Sequence, residues 1–402
     1  MLLCLLDKEA LLIYTDPLYG MVELPDFVAE IAHTTQMRRL RGITQDALPN
    51  VFFPTGASFP SRFQHSMGVA YLATIATSQN PQLSGVQQNL IIASALLHDV
   101  GNPPFSHLAE PFLREITGHD GESFARNMLV NSSLETTCRG FGCGADSKSI
   151  ISMITGACGL FSHIIHGSLD VDNLDNVARY LHTTGMPGMF DPEAIAASFR
   201  RTPSTHKIVP HTWGLIDGIQ RETDKWRQAR NAVYRDLYAD PHLNVAMMLY
   251  RIVDLTYRAG RLESDFFLLN DADALVWLRE RGQKELFAML DSWRWYPEIY
   301  RAEIETPSAR LITASRDPML RGTLADLIAE HCNIAPHQVC IYAGEGRDDR
   351  VVDLPFLKDD GTVIQTREKK RKLWRITIYL DPDCAKITPN AINLIKTYLD
   401  IS

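Results

Sequence analysis

The chain has 402 residues, 45% of them hydrophobic and 9% aromatic, with a formal net charge of −8 at pH 7. That length suits one large core domain and a smaller one, the apolar content excludes wholesale disorder, and the acidic balance argues against a general nucleic-acid binder. Seven cysteines without a CxxC spacing fit free thiols in a reducing compartment, and no run approaches the roughly 20 apolar residues of a membrane helix, so a cytoplasmic protein is expected.

Taken in order, MLLCLLDKEALL lacks the basic start and small-residue cleavage site of a leader. LLIYTDPLYG contains Asp-Pro and Tyr-Gly, both turn signals, and predicts a paired hairpin in residues 1–20. VELPDFVAEIAHTTQMRRLRGI predicts a helix in two parts, broken near His33-Thr34-Thr35. The cluster Arg38, Arg39 and Arg41 reads as a solvated basic helix end. DALPNVFFPTGASFPS reads as a connector along a pocket wall. Arg62 and His65 open the next helix and share a face. By itself a histidine there is more often a satisfied core residue, a reading that the RFxHS context reverses.

LIIASALL is apolar nearly all round, the mark of a buried helix, and Gly101-Asn102-Pro103-Pro104 ends the run. His98 and Asp99 thus fall on its last turn, as a metal-ligand pair or as a plain helix cap with a solvated Asp. His107 and Glu110 are three apart, the spacing of a base and its orienting carboxylate on one helical face. His119 precedes Asp120 and Ser123, which also read as a helix cap. Residues 130–160 predict a surface loop and a short helix. Asp172, Asp175, Asn176 and Arg179 fall at i, i+3, i+4 and i+7, one helical face. Residues 183–225, with four prolines, read as linker. Arg230, Tyr234 and Tyr238 then form a single stripe on a helix, which as a bare pattern also suits an ordinary core face. From about residue 305, ARLITA, HQVCIYAG, RVVDLPF and KLWRITIYL read as strands, with LRGTLADLIAEHC and TPNAINLIKTYL as helices. REKKRK (367–372) reads as a solvated charge run.

The segments DPLYGMVELPDFVAEI, QMRRLRGITQ, VFFPTGASFPSRFQHSMGVAYLA and HDVGNPPFSHLAE, followed by SLDVDNLDNVARYLH, carry an H…HD…D pattern. Over roughly residues 15–260 the chain resembles the HD-domain deoxynucleotide triphosphohydrolases, which include the bacterial dGTPases and the SAM-and-HD-domain dNTPase of animal cells. The resemblance implies a mainly α fold: an HD-domain helical core over residues 1–304 and a small α+β C-terminal lobe over 305–402. It implies His65, His98, Asp99 and Asp172 as metal ligands, and His107, Glu110 and His119 as catalytic residues. It implies substrate contacts by Gln45 (sugar hydroxyl), Arg62 and Arg230 (phosphate), Tyr234 in place of a family histidine, and Tyr238 (deoxyribose), and it implies that the protein is a homo-oligomer. His33 stands where an acidic residue reads an activator guanine. Asn173, Asn176 and Tyr180 stand where the animal enzyme has Lys, Tyr and Asp that help hold triphosphate or sugar.

Two imidazoles and two carboxylates make a mixed nitrogen and oxygen set suited to one Mn, Fe, Zn, Co or Mg ion. The first expectation is hydrolysis of a deoxynucleoside triphosphate to deoxynucleoside plus triphosphate. A second is an HD hydrolase of another phosphoester, such as a nucleoside monophosphate or a modified or cyclic nucleotide, which the missing Lys, Tyr and Asp after Asp172 favour. A third is a nucleotide- or metal-binding regulator without turnover, against which the His107–Glu110 pair argues. The expected partner is a nucleotide, with no membrane and no stable nucleic-acid partner.

Overall fold

The structure, a computed structural model, describes residues 11–52, 58–140, 145–203, 211–216, 218–237, 241–346, 355–358, 362–365, 373–384 and 389–401. It is mainly helical, with small sheets. The expected hairpin is present: β1 (Leu11–Asp16) pairs antiparallel with β2 (Gly20–Pro25). The next helix is broken where expected, into α1 (Asp26–Ala32) and α2 (Thr35–Arg39).

Two long helices follow, each started by a reciprocal cap. α3 (Arg62–Ser78) is capped by Ser61 and Gln64, and α4 (Gly85–Leu97) by Ser84 and Gln87. α4 buries every residue from Ile91 to Leu97, as its apolar circumference demands, and ends at His98. α5 (Glu110–Thr117) and α6 (Gly121–Leu129) follow the His-Asp turn. α7 (Ser133–Gly140) and α8 (Ser147–Ile154) come next, two helices where a loop and one short helix were expected. Small polar residues hide the pattern there, but Leu134 and Cys138 are buried on α7, and Ile150, Met153 and Ile154 on α8. Asp170 caps α9 (Val171–Thr184) through the Asn173 N–H, and Gly185 ends it at φ 68°.

The described part of the stretch read as linker is structured. Pro192 occupies the first turn of α10 (Pro192–Ser198), where a missing N–H costs nothing, and β3 (Phe199–Pro203) pairs with β4 (His211–Ile216). Pro192 and Pro203 sit at the ends of elements rather than mark a tether. α11 (Gln220–Leu237) and α12 (His242–Arg258) complete the wall around the site, followed by α13 (Asp271–Arg281) and α14 (Lys284–Asp291).

Strand β5 (Glu298–Ile304) leads into α15 (Ala309–Arg316), α16 (Pro318–Cys332) and β6 (Val339–Gly346). Then come β7 (Pro355–Leu357), β8 (Val363–Gln365), β9 (Leu373–Leu380) and α17 (Pro389–Leu399). ARLITA is therefore helix, not strand. Ser308 caps it by accepting the Leu311 N–H at 3.0 Å, and Leu311 and Ala314, three apart, are buried. β9 is central between β5 and β6, both antiparallel, while β4 pairs in parallel with β7. β6 serves two cores by strand alternation: Cys340 and Tyr342 face the large helical core, Ile341 and Ala343 a smaller one with α15, α16 and α17. Residues 366–372, including the REKKRK run, lie outside the described residues. Among the described residues no helix is long and apolar enough to cross a membrane.

Gly101, on the turn after His98-Asp99, lies against α6. A Cβ there would come within 2.2 Å of the Gly121 carbonyl oxygen and 2.4 Å of the Ala125 nitrogen, both backbone atoms that cannot swing away. Gly101→Ala is expected to lower unfolding stability by about 1–3 kcal/mol, read as a lower denaturant midpoint at unchanged slope.

Candidate metal centre and cavity

Three helices bring the four expected ligands together. His65 comes from the first turn of α3, His98 and Asp99 from the end of α4, and Asp172 from the first turn of α9. One ligand atom each of His65, His98 and Asp172 lies within 4.8 Å of the others. The two histidine Nε2 atoms are 3.2 Å apart, and Asp172 Oδ1 is 2.9 Å from one and 3.7 Å from the other. Asp99 Oδ2 closes the group at 3.7 Å from His65 and 3.4 Å from His98.

The surroundings fix which nitrogen of each ring carries hydrogen. His98 Nδ1 is 2.8 Å from the Ala95 carbonyl, which only accepts, so Nδ1 is the donor. His65 Nδ1 is 2.7 Å from Asp175 Oδ1. Asp175 is wholly buried, which opposes ionisation, but the Arg179 guanidinium beside it wins and holds its carboxyl down at about 2. It is therefore an acceptor, and His65 Nδ1 donates. Both rings are left aiming Nε2 lone pairs at one point, with two carboxylates. Such a set repels itself unless something positive sits in it. Burial works against protonating His65, yet the hydrogen bonds and charges of Asp172 and Asp175 outweigh it and raise the imidazole to about 9. The field that draws a proton there draws a divalent cation, so the donor chemistry fits a metal ion.

Behind the ligands stands a buried chain of charges. Arg179 donates to both Asp175 oxygens at 2.8 Å and to both Asp16 oxygens at 3.2 and 3.1 Å. The helices α3 and α9 meet at Gly68, where a Cβ would lie 2.0 Å from Asp175 Oδ2. Asp99 is held by Arg62 Nη1 at 2.8 Å and Asn102 Nδ2 at 2.7 Å. Burial disfavours its charge, but Arg62, His98 and His65 keep the carboxyl well below the usual range.

The loops around the centre are tied by groups that pattern reading passes over. Arg39 is not solvated. Its guanidinium donates to the carbonyls of Leu269, Val100 and Asn102 at 2.7–3.0 Å, and burial lowers it to about 10. Arg41 stacks on Phe63, 3.8 Å from the ring centroid. Asp271 accepts the N–H of Thr44 and of Phe105, each at 2.8 Å. Phe105 and Ser106 both adopt left-handed backbone, φ 61° and 50°, which this clamp stabilises. Ser106 Oγ donates to the Thr44 carbonyl and accepts from Arg62 Nε. The Gln45 loop and the His107 turn are thus locked to one another.

A cavity of about 460 Å³ opens beside the centre. Arg62, His107 and Glu110 line it, with Gln45, Asp46, Asn173, Asn176, Tyr180 and Tyr234. His107 lies on a single 3-10 turn before α5 rather than on the same helix as Glu110. Its Nδ1 is still 3.2 Å from Glu110 Oε2. Burial opposes the Glu110 charge, but His107 beside it holds the carboxyl below its ordinary value. Gln45 Nε2 donates to Asn176 Oδ1 at 3.2 Å, and Tyr180 donates to Asp236 at 2.7 Å.

Two expected residues stand apart. His119 is half-buried in the turn before α6, where Asp120 and Ser123 form the cap, and it is not among the residues lining the cavity. Arg230 is buried behind Tyr234, its guanidinium carbon 4.2 Å from the ring centroid, and does not line the cavity either. Tyr238 lies outside the described residues.

Comparison with known proteins agrees with this geometry. Residues 62–140 match the HD domain, a span that holds His65, His98, Asp99 and the His107–Glu110 pair. An uncharacterised protein of Methanocaldococcus jannaschii is 28% identical over 71% of this chain and 58% of its own length. The deoxynucleoside triphosphate triphosphohydrolase SAMHD1 of Bos taurus is 28% identical over 98% of this chain and 73% of its own length. A hypothetical protein from Aquifex aeolicus has a crystal structure that superposes with a TM-score of 0.70, covering 92% of this chain and 97% of that one, at 18% identity. The chain spans 58% of the length of the archaeal relative and of an uncharacterised Bacillus subtilis one.

Asp175 was visible in the sequence only as a residue on the Asp172 face. Its role behind His65 gives a test. Asp175→Asn keeps the shape but removes the charge that orients the ring, and is expected to weaken divalent-metal affinity about 10–100-fold, measured by competition with a chromophoric chelator.

Proposed function

We propose that this HD-domain protein, homologous to the deoxynucleoside triphosphate triphosphohydrolases, is a metal-dependent phosphohydrolase that cleaves deoxynucleoside triphosphates to deoxynucleoside and triphosphate. The observation that carries the reading is the pair of tautomer-fixed imidazoles facing two carboxylates, beside a cavity whose wall bears His107 and Glu110. A regulator without turnover has no use for an imidazole backed by a carboxylate on that wall.

His65, His98, Asp99 and Asp172 would hold one divalent ion. When bound, that ion supplies Lewis acidity, which acidifies water and neutralises phosphoryl charge. The chain's own groups do the rest. Water adds to the α-phosphorus, the bond to the 5′-oxygen breaks, and the leaving oxygen takes a proton. His107 is the group on the cavity wall that gives it. Glu110 at 3.2 Å holds the ring in place. Arg62 keeps Asp99 ionised and brings positive charge to the same wall. Gln45 carries an amide that both donates and accepts, which suits a sugar hydroxyl. Tyr234 adds an apolar face to the wall. The volume, about 460 Å³, falls among small-molecule sites and is too small for a folded nucleic acid.

A second reading rests on a specific observation. Asn173 and Asn176 line the cavity where the animal enzyme has Lys and Tyr, and Tyr180 is engaged with Asp236. Fewer cations near Asp172 favour a substrate with fewer phosphates, such as a nucleoside monophosphate.

Incubating the metal-replete protein with each deoxynucleotide separates the two. The first reading predicts inorganic triphosphate as product, whereas release of orthophosphate from monophosphates alone supports the second. His107→Asn is expected to lower kcat about 10²–10⁴-fold with metal content unchanged. His65→Ala is expected to lose metal and activity together.

A further inference from the structure

The cavity has a second wall, built by elements outside the HD domain match. Ser315 lies in the last turn of α15, Arg321 on α16 and Tyr342 on β6, with Tyr250 and Met247 from α12 beside them. Arg321 stands out among these. It is 8% exposed, and both Nε and Nη2 are buried without a hydrogen-bond partner. Its guanidinium lies over the Tyr250 ring, 4.3 Å from the centroid, and Tyr250 in turn packs on Phe112 of α5.

Among the described residues no acid on the neighbouring elements is paired with Arg321, although Asp254 Oδ1 is itself buried without a hydrogen-bond partner. Asp317 caps α16 through the N–H groups of Met319 and Leu320, at 2.8 and 3.2 Å. Asp254 pairs with Arg251, and Asp326 with Arg251 and Arg258. Arg321 makes no ion pair among the described residues. A buried guanidinium with two idle donors is costly, and native interiors leave such groups only where something completes them. Arg321 lines the cavity, where a guanidinium supplies N–H donors suited to a phosphate or carboxylate edge.

We propose that Arg321 is an anion-binding residue, and that it makes this wall a phosphate subsite apart from the metal centre. The phosphate is either a distal phosphate of the nucleotide itself or that of a second, phosphate-bearing ligand. The site stands on the geometry of Arg321. Only its assignment to the substrate rests on the hydrolase reading. In the first case α16 contributes the cation that Asn173 does not, so the smaller lobe selects for polyphosphate. In the second, occupancy of the cavity is set by another anion.

The test is calorimetric titration of the full-length, metal-replete protein with inorganic tripolyphosphate and with inorganic orthophosphate, comparing wild type, Arg321→Gln and Arg321→Lys. We expect about tenfold or more weaker binding for the glutamine variant and an intermediate loss for lysine, which keeps the charge but not the fork. The melting temperature without ligand is expected not to fall for the lysine variant, which keeps the test valid should glutamine disturb packing. Binding of both anions within twofold of wild type in the lysine variant and in any folded glutamine variant overturns the proposal. So does a tripolyphosphate-soaked crystal of the wild type with no anion on Arg321. Steady-state kinetics then assign the source. A KM raised tenfold for triphosphates but unchanged for monophosphates identifies the substrate's own phosphate. Unchanged KM values with lost anion binding identify a second ligand. Metal content measured on the same samples separates failure of the hydrolase reading, seen as a wild type without metal, from failure of the anion site.

Discussion

Arg179, buried between Asp16 and Asp175, is the contact on which the site depends. It joins the β1 turn, α9 and, through Asp175, the ring of His65 on α3. One cation serves two carboxylates, so the pair is not self-neutralising, and His65 supplies the remaining partner. Removing the guanidinium would leave two buried charges uncompensated, a loss of several kcal/mol in general experience. The arrangement trades stability for orientation, because an apolar filling would pack as well but would leave the His65 ring free to turn. Gly68 is what lets this cluster fit at the α3–α9 crossing.

The same logic governs the loops. Arg39, Asp271 and Ser106 spend their hydrogen bonds on backbone groups of the segments that carry Gln45, His98-Asp99 and His107. The left-handed Phe105–Ser106 pair is tolerated because Asp271 anchors it from α13. The His107–Glu110 pair is thereby mounted on a rigid turn although it belongs to no long helix.

Much of the site was legible before the fold. The apolar run into His98-Asp99, the Arg62–His65 spacing and the Asp172–Arg179 face are local patterns, and each survives folding because it is set by helix periodicity. Asp16, Arg39 and Asp271 carried no such signal. Their long-range partners lie from 61 to 230 positions away, and an isolated acid or arginine looks solvated until the chain closes on it. Secondary structure failed for similar reasons. ARLITA has β-branched residues, but its capping serine and i, i+3 burial decide for helix. The prolines of 183–225 read as a tether until Pro192 is seen to start α10. Arg321 was hidden inside a correctly expected helix, since nothing in its neighbours tells that Tyr250 and a cavity face it.

The central claim is that α3, α4 and α9 converge their ligands on a single ion. The direct measurement is metal analysis of the full-length protein, with anomalous scattering from a crystal of the same preparation. One divalent ion per chain is expected, at ordinary coordination distances of about 2.0–2.3 Å from His65 Nε2, His98 Nε2 and the carboxylates of Asp99 and Asp172. A metal-replete preparation with no ion there, or with its scatterer bound elsewhere on the chain, would contradict it.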